Sequence, residues 1–335
     1  MSHVLAVRLD NEGDVLLAGP AIRALAAHHD RVTLLCGPRG RHAAALLPGV
    51  DEVVVWRAPW IDPEPDPVSR AHVDELIARV TALAPDRAVI FGSFHQSPLP
   101  TALLLRLAGV PFVAATSVDY PGSLLDVRHR IGDDVHEVER SLDLVRAIGC
   151  ELPPGDDDRL RVRVAAHGID LERPYVVVHP GASVPARAWA PDRNAALVEV
   201  LAASGRRVVV TGGPGERELT AHVAGDAGVD LGGRTSFAEL AAVVADASCL
   251  VVGNTGPAHL AAAVGTPVAE LYAPTVPAVR WRPWRVAHEL LGMDVPCAGC
   301  RARVCPVPGH PCLFAVEVAD VVAAVDRLAP VEVAA

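Results

Sequence analysis

Two segments of this 335-residue chain carry residue types and spacings suited to gripping an anion. The first, Val176–Trp189 (VVVHPGASVPARAW), runs from β-branched residues into Gly181-Ala182-Ser183, a source of backbone amides and a hydroxyl. It then supplies a permanent, planar cation at Arg187. The second, Val251–His259 (VVGNTGPAH), breaks from an apolar run into Asn254, Thr255, Gly256 and Pro257. It leads into a helix-like stretch over Ala258–Val264, with His259 in the first turn. A buried parallel strand ending in a small-residue turn before a helix presents amides and a helix N-terminus to a phosphate. Two such turns point to one diphosphate held from adjacent strand ends, and so to an activated nucleotide compound.

A third segment, VTGGPGERE, places Glu216 after a tight glycine turn. Its carboxylate can accept from ribose hydroxyls, or serve as a first-turn acid facing the helix dipole. The exit of the first apolar run is different in kind. Val4–Arg8 is followed by Leu9-Asp10-Asn11-Glu12-Gly13-Asp14, with no G-x-G-x-x-G fingerprint. An acid-rich loop repels a pyrophosphate and suits a general base, and Gly13 lets a substrate approach Asp14 closely. The alternative is that Asp14 or Asp10 caps the next helix.

The remaining candidates are weaker. His28 and His29 end a helix, where cations are favoured, and His3, His42 and His72 have no evident partners in the sequence. Cys297, Cys300, Cys305 and Cys312, with His310 nearby, follow C-x2-C-x4-C-x6-C, a spacing like that of a zinc knuckle. The competing reading is an irregular loop, set by Pro296, Pro306, Pro308 and Pro311, whose thiols pack reduced. The expectation is no metal site and no catalytic role for the loop.

The elements that must position these residues alternate along the chain. Strands are expected at Val4–Arg8, Val32–Cys36, Glu52–Trp56, Arg87–Phe91, Val110–Ala114, Tyr175–His179, Arg207–Thr211, Leu250–Gly253 and Val268–Tyr272. Helices are expected at Ala18–His28, Ala71–Ala82, Glu137–Ile148, Asn194–Ala203, Glu216–Ala224, Phe237–Ala247 and Val316–Arg327. Alternation of this length means βαβ units and parallel sheets covered on both faces, an α/β protein. The length fits two domains. CELPPGDDD at Cys150–Asp158 interrupts the pattern, giving domains at 1–158 and 170–315, then a C-terminal helix and tail at 316–335 that can pack on either.

Composition narrows the partners. The net charge of −10 argues against nucleic acid. All 30 basic residues are arginine, which removes lysine as a catalyst. The cluster Trp281-Arg282-Pro283-Trp284-Arg285 is either a contact with a membrane surface or a loop whose tryptophans pack. No apolar run is long enough to span a bilayer and no signal segment opens the chain, so a cytoplasmic protein with reduced thiols is expected.

With these residues laid out, the chain resembles glycosyltransferase family 9, the ADP-heptose:lipopolysaccharide heptosyltransferase family, over nearly its whole length. The resemblance rests on Gly13-Asp14, on HPGAS with Arg187-x-Trp189, on GGPGERE, on NTGPAHLAAAVGTP and on the cysteine loop. It implies a GT-B fold, two Rossmann-like domains with parallel sheets facing a central cleft. It further implies inverting, metal-independent sugar transfer without a cofactor, from a nucleotide-diphosphate sugar of the ADP type to a glycan or lipid-linked acceptor of the cell envelope. Residue by residue, Asp14 matches the family's base and Arg187 stands where a lysine usually meets the diphosphate. Glu216 matches a ribose contact; Thr255, Gly256 and His259 match the donor-phosphate loop. Asn254 stands where heptosyltransferases commonly have Asp. Acceptor contacts are expected among the loops Trp56–Pro67, Phe94–Ser97 and Tyr120–Arg130. Rival functions are a nucleotide-sugar epimerase of the same architecture and a non-catalytic sugar-nucleotide-binding module, which would not need Asp14. An NAD(P) oxidoreductase is disfavoured by the missing glycine fingerprint.

Overall fold

The computed structural model describes residues 1–93, 95–166 and 168–330. The chain forms two compact units, Met1–Arg163 and Val164–Ala335. In the first, six strands pair in parallel: β1 (His3–Arg8), β2 (Arg31–Cys36), β3 (Glu52–Val55), β4 (Arg87–Ile90), β5 (Phe112–Thr116) and β6 (Val127–His129). Their order is β3-β2-β1-β4-β5-β6. In the second unit β7 (Tyr175–His179), β8 (Arg207–Val210), β9 (Val229–Asp230), β10 (Cys249–Gly253), β11 (Val268–Leu271) and β12 (His288–Leu291) repeat this plan in the order β12-β11-β10-β7-β8-β9. Both are doubly wound Rossmann sheets, in which the order reverses between the first and fourth strands and ligands bind beyond the carboxyl ends at that reversal.

The central strands are buried from end to end, as an apolar strand covered by helices on both faces must be. In the second unit Val176, Val178, Val251, Ala269 and Leu271 pack on one face, with Leu197, Leu201 and Val325 from the helices. Tyr175, Val177, Leu250, Val252 and Val268 pack on the other, with Val243, Ala258 and Ala261. The final helix, Val318–Leu328, lies on the second unit through Val321, Ala324 and Val325.

Several boundaries differ from those expected. The first helix begins at Glu12, and a second runs over Gly19–Ala26. Asp14 therefore stands in a first helical turn rather than a loop, where an acid is favoured by the helix dipole. The strand expected at Val110–Ala114 starts at Phe112, because Gly109 (φ +87°) and the Val110 N–H, which donates to Leu105 O at 3.0 Å, finish the preceding helix. The first unit extends to Arg163, whose N–H donates to Leu46 O at 2.8 Å, while Asp156 is held at 2.7 Å by Arg23.

One strand residue breaks the apolar rule. Glu270, on β11, is fully buried, and neither carboxyl oxygen makes a hydrogen bond. Burial pushes its pKa well above the ordinary value, and the Arg187 guanidinium only partly opposes this. A carboxyl whose folded pKa is raised contributes stability that is complete below its unfolded value and is lost as pH rises through the folded one. Glu270→Leu, of similar volume, is therefore expected to melt above the parent chain, with a gap that widens from pH 5 to pH 9. A gap that does not change with pH would show that the Glu270 pKa is not raised in the folded protein.

Candidate active-site elements of the two units

At the reversal of the first sheet, Arg8 ends β1 with 1% of its surface exposed. A buried guanidinium needs counter-charges, and the adjoining turns supply them. Arg8 Nη2 donates to Asp14 Oδ1 at 2.8 Å and to Ser93 Oγ at 3.0 Å, Nε stands 2.9 Å from Asp10 Oδ2, and Nη1 is 4.0 Å from Glu137 Oε2. Burial alone would lower the Arg8 pKa; Asp10, Asp14 and Glu137 raise it overall. Gln96, beyond β4, donates from Nε2 to Asp10 Oδ1 at 2.5 Å. Burial pushes Asp10 up to about 6, helped by Asp14 and opposed by Arg8 and Gln96. Asp14 is the more accessible carboxylate, with 20% of its side chain exposed against 8% for Asp10; Gly13 is buried beneath it.

At the reversal of the second sheet, the two small-residue turns meet. A Cβ on Gly253 would stand 2.7 Å from Arg187 O, so only glycine lets the loop after β7 cross the end of β10. Arg187 ends a short 3-10 turn, Pro185–Arg187, and its Nε donates to Thr275 Oγ1 at 3.1 Å. Gly181 is buried, Ala182 half-buried and Ser183 exposed. Asn254, 5% exposed, donates to Ala273 O at 3.2 Å, and its Oδ1 makes no hydrogen bond. The helix after β10 spans Gly256–Val264 and therefore includes Gly256 and Pro257. Thr255 is its N-cap, yet its side chain makes no capping hydrogen bond. The Thr255 N–H already donates to Gly253 O, and Pro257 has no N–H, so Gly256 supplies the amide donor of this turn. His259 is buried in that helix.

Glu216 lies against the same end of the sheet. Its Oε2 accepts from the Gly213 N–H at 2.7 Å, and its carboxylate covers Gly181 so closely that a Cβ there would stand 2.0 Å from Oε1. Burial lowers the pKa of the neighbouring His179, and Glu216 opposes this.

In the second unit the structure brings the Arg187 turn against the end of β10 and Glu216 against Gly181, and the two units add residues the sequence did not single out: Arg8, Ser93 and Glu137 in the first, Glu270 and Thr275 in the second. An arginine closing a buried apolar strand and a glutamate inside VAEL were the available signals. His3, His42 and His72 do have partners: Thr33 Oγ1 at 2.9 Å, Glu12 Oε1 at 3.1 Å and Arg57 O at 2.7 Å. Trp284 is buried, with the Arg285 guanidinium 5.3 Å above its ring, as the packing alternative requires for that tryptophan. No helix among the described residues is long and apolar enough to cross a membrane. Of the loops expected to meet an acceptor, Phe94 lies outside the described residues.

The four cysteines of the C-terminal loop line one cavity with His310 and Ala186. All are free thiols, and among the described residues no group of three or more His, Cys, Asp or Glu is arranged to hold a metal ion. The loop braces the Arg187 turn: His310 Nε2 donates to Ala186 O at 3.0 Å, and the Ala186 N–H donates to Arg303 O at 3.0 Å. His310→Ala is expected to weaken binding of a nucleoside diphosphate by about 0.5–1.5 kcal/mol, one hydrogen bond's worth, without contact between His310 and ligand. Calorimetric titration checks this; an unchanged affinity would show that the loop does not hold the turn.

Comparison with known proteins agrees with this geometry. Residues 95–310 match the family model described as glycosyltransferase family 9 (heptosyltransferase). A lipopolysaccharide heptosyltransferase 3 of Escherichia coli is 30% identical over 199 residues, 56% of this chain and 56% of that protein. The chain spans about half the length of the curated relatives it matches. Among solved structures, the E. coli ADP-heptose lps heptosyltransferase II superposes with a TM-score of 0.75 at 19% identity, covering 98% of both chains. E. coli heptosyltransferase WaaC with ADP gives a TM-score of 0.68 at 19% identity, covering 98% of this chain and 99% of that one. These superpositions share the GT-B fold, and with the matched residues they give the assignment: the chain belongs to glycosyltransferase family 9, the heptosyltransferase family.

Proposed function

We propose that the chain is an inverting, metal-independent glycosyltransferase. It moves a sugar, heptose or a close relative, from an ADP-type nucleotide-diphosphate donor to a glycan or lipid-linked acceptor. The observation that carries this reading is the crossing of the Arg187 turn over Gly253, which brings the backbone of the segment carrying Arg187 against the strand end that leads into helix Gly256–Val264 at a Rossmann reversal. The solved WaaC carries ADP, which supports that nucleotide, and the curated relatives are named for lipopolysaccharide, which supports a glycan acceptor. The free thiols fit a reducing cytoplasm.

In this mechanism the Asp14 carboxylate takes the proton of the acceptor hydroxyl as that oxygen bonds to the anomeric carbon, from the face opposite the diphosphate. The anomeric carbon–oxygen bond breaks, and its electron pair leaves on the diphosphate. Arg187, the amides of Gly181, Ala182 and Gly256, the hydroxyls of Ser183 and Thr255, and His259 meet that charge. Preorganised donors of this kind contribute about 3 kcal/mol each to a transition state. Glu216, Asn254 and Pro257 shape the nucleoside side and the turn.

Thermal shift with ADP, GDP and UDP identifies the nucleotide, and ADP is expected to raise the melting temperature most. Arg187→Ala is then expected to weaken ADP binding by about 1.5–3 kcal/mol, the worth of a charge-assisted contact, and to leave adenosine binding unchanged. Equal losses for both ligands would mean that Arg187 holds the unit together rather than the phosphates.

For the chemical step, Asp14→Asn is expected to keep the fold and ADP affinity while lowering ADP release from ADP-heptose in the presence of a cell-envelope glycan extract. The loss should reach at least the ~10²-fold typical of a general base, in assays that run in excess EDTA. Retained turnover would remove Asp14 from the mechanism, and loss of parent activity in EDTA would remove metal independence.

A further inference from the structure

Arg8 holds two carboxylates with one guanidinium, and the two differ in what they can reach. Asp10 is closed on both sides: Oδ2 faces Arg8 Nε at 2.9 Å and Oδ1 accepts from Gln96 at 2.5 Å, leaving the side chain 8% exposed. Asp14 gives only Oδ1 to Arg8, and a fifth of its side chain is open. Both carboxylates touch the same guanidinium, and the charge of Asp14 acts on Asp10. Ser93 takes part of the Arg8 fork, and Glu137, 1% exposed, adds a third acid at 4.0 Å. Across the small pocket that Asp10 lines stand Arg39 and Asp62, themselves 3.9 Å apart.

We propose that Asp10 is a positioning residue for the transfer reaction: Asp10 and Asp14 act as one proton-accepting pair on Arg8, with the charge of Asp10 setting how avidly Asp14 takes the acceptor's proton. The inference rests on the reading of Asp14 as the base. A carboxylate clamped alone by a buried arginine is a poor base, since protonating it strands the cation. Here the ionised cluster of Arg8, Asp10, Asp14 and Glu137 carries an excess of negative charge. A proton arriving on Asp14 relieves repulsion with Asp10 and leaves Arg8 still paired. Asp10 itself does not meet substrate, since its two oxygens are engaged by Arg8 and Gln96. Burial is the main cause that pushes Asp10 up to about 6, and the charge of Asp14 adds to it.

The test titrates the side-chain carboxyls by ¹³C NMR in protein labelled only at aspartate, for the parent chain, Asp10→Asn and Asp14→Asn, alongside the pH profile of ADP release. In Asp10→Asn the Asp14 midpoint is expected to fall by about one pH unit, the scale of coupling between groups sharing one site. The acid limb of the rate profile should move to lower pH with it, and the plateau should drop because the base is weaker. In Asp14→Asn the Asp10 midpoint should fall in turn. A structural loss would lower the rate without moving either midpoint. An Asp14 midpoint that stays put in folded Asp10→Asn overturns the pair. An active Asp14→Asn would instead overturn the assignment of the base, so the two failures are told apart.

Discussion

In each unit the chain lays its first strand in the middle of the sheet, builds outward on one side, then crosses back to build on the other. The crossing leaves the carboxyl ends of the first and fourth strands side by side. Everything assigned to the site hangs on those two pairs of strand ends. In the first unit, β1 and β4 deliver Arg8, Asp10 and Asp14 to Ser93 and Gln96. In the second, β7 and β10 deliver the Arg187 turn to the helix at Gly256, and Gly253 is the residue whose missing Cβ lets the two touch. One topology, used twice, produces two sites of different chemistry because the turn residues differ.

The difference is electrostatic. Around Arg8 the acids outnumber the base, so the end of the first sheet suits proton acceptance and repels a phosphate. Around Arg187 the balance is reversed. Glu270, an acid that the Arg187 guanidinium acts on, is buried and pushed toward the neutral form, which lessens its opposition to the cation. A buried neutral carboxyl without hydrogen-bond partners is costly, and a strand residue of that kind is hard to justify by packing alone.

The fold was largely legible in the chain because the central strands are apolar runs of four to six residues, buried on both faces. The edge strands Val127–His129, Val229–Asp230 and His288–Leu291 carry no such signal; each exists because a neighbour offers it a ladder. The turns after β7 and β10 were legible as turns because glycine, small polar residues and an arginine sit at strand ends. The network around Arg8 was not. Asp10 and Gln96 are 86 positions apart, and Arg8 and Glu137 more than that. Only the parallel pairing of β1 with β4 brings the first two together. The cysteine loop has a metal-like spacing in the sequence but was expected to pack with reduced thiols; what the sequence did not show is that it holds Ala186 through both its N–H and its carbonyl.

A chain whose cations are all arginine ties its loops differently from one that uses lysine. A guanidinium carries five donors in a rigid plane, so one residue can serve several acceptors far apart in sequence. Arg23 grips both oxygens of Asp156 and the carbonyl of Arg159, fixing the end of the first unit on its second helix. Arg106 reaches the carbonyls of Val110, Pro111 and Leu124 and the carboxylate of Asp126, stapling the turn before β5 to the approach of β6. Arg206 holds Ala329 O and Asp326 at the end of the last helix. Arg187 follows the same rule. Its Nε donates to Thr275, which restrains the plane of its fork; on the proposed reading, less entropy is then lost in ordering the cation when a phosphate binds.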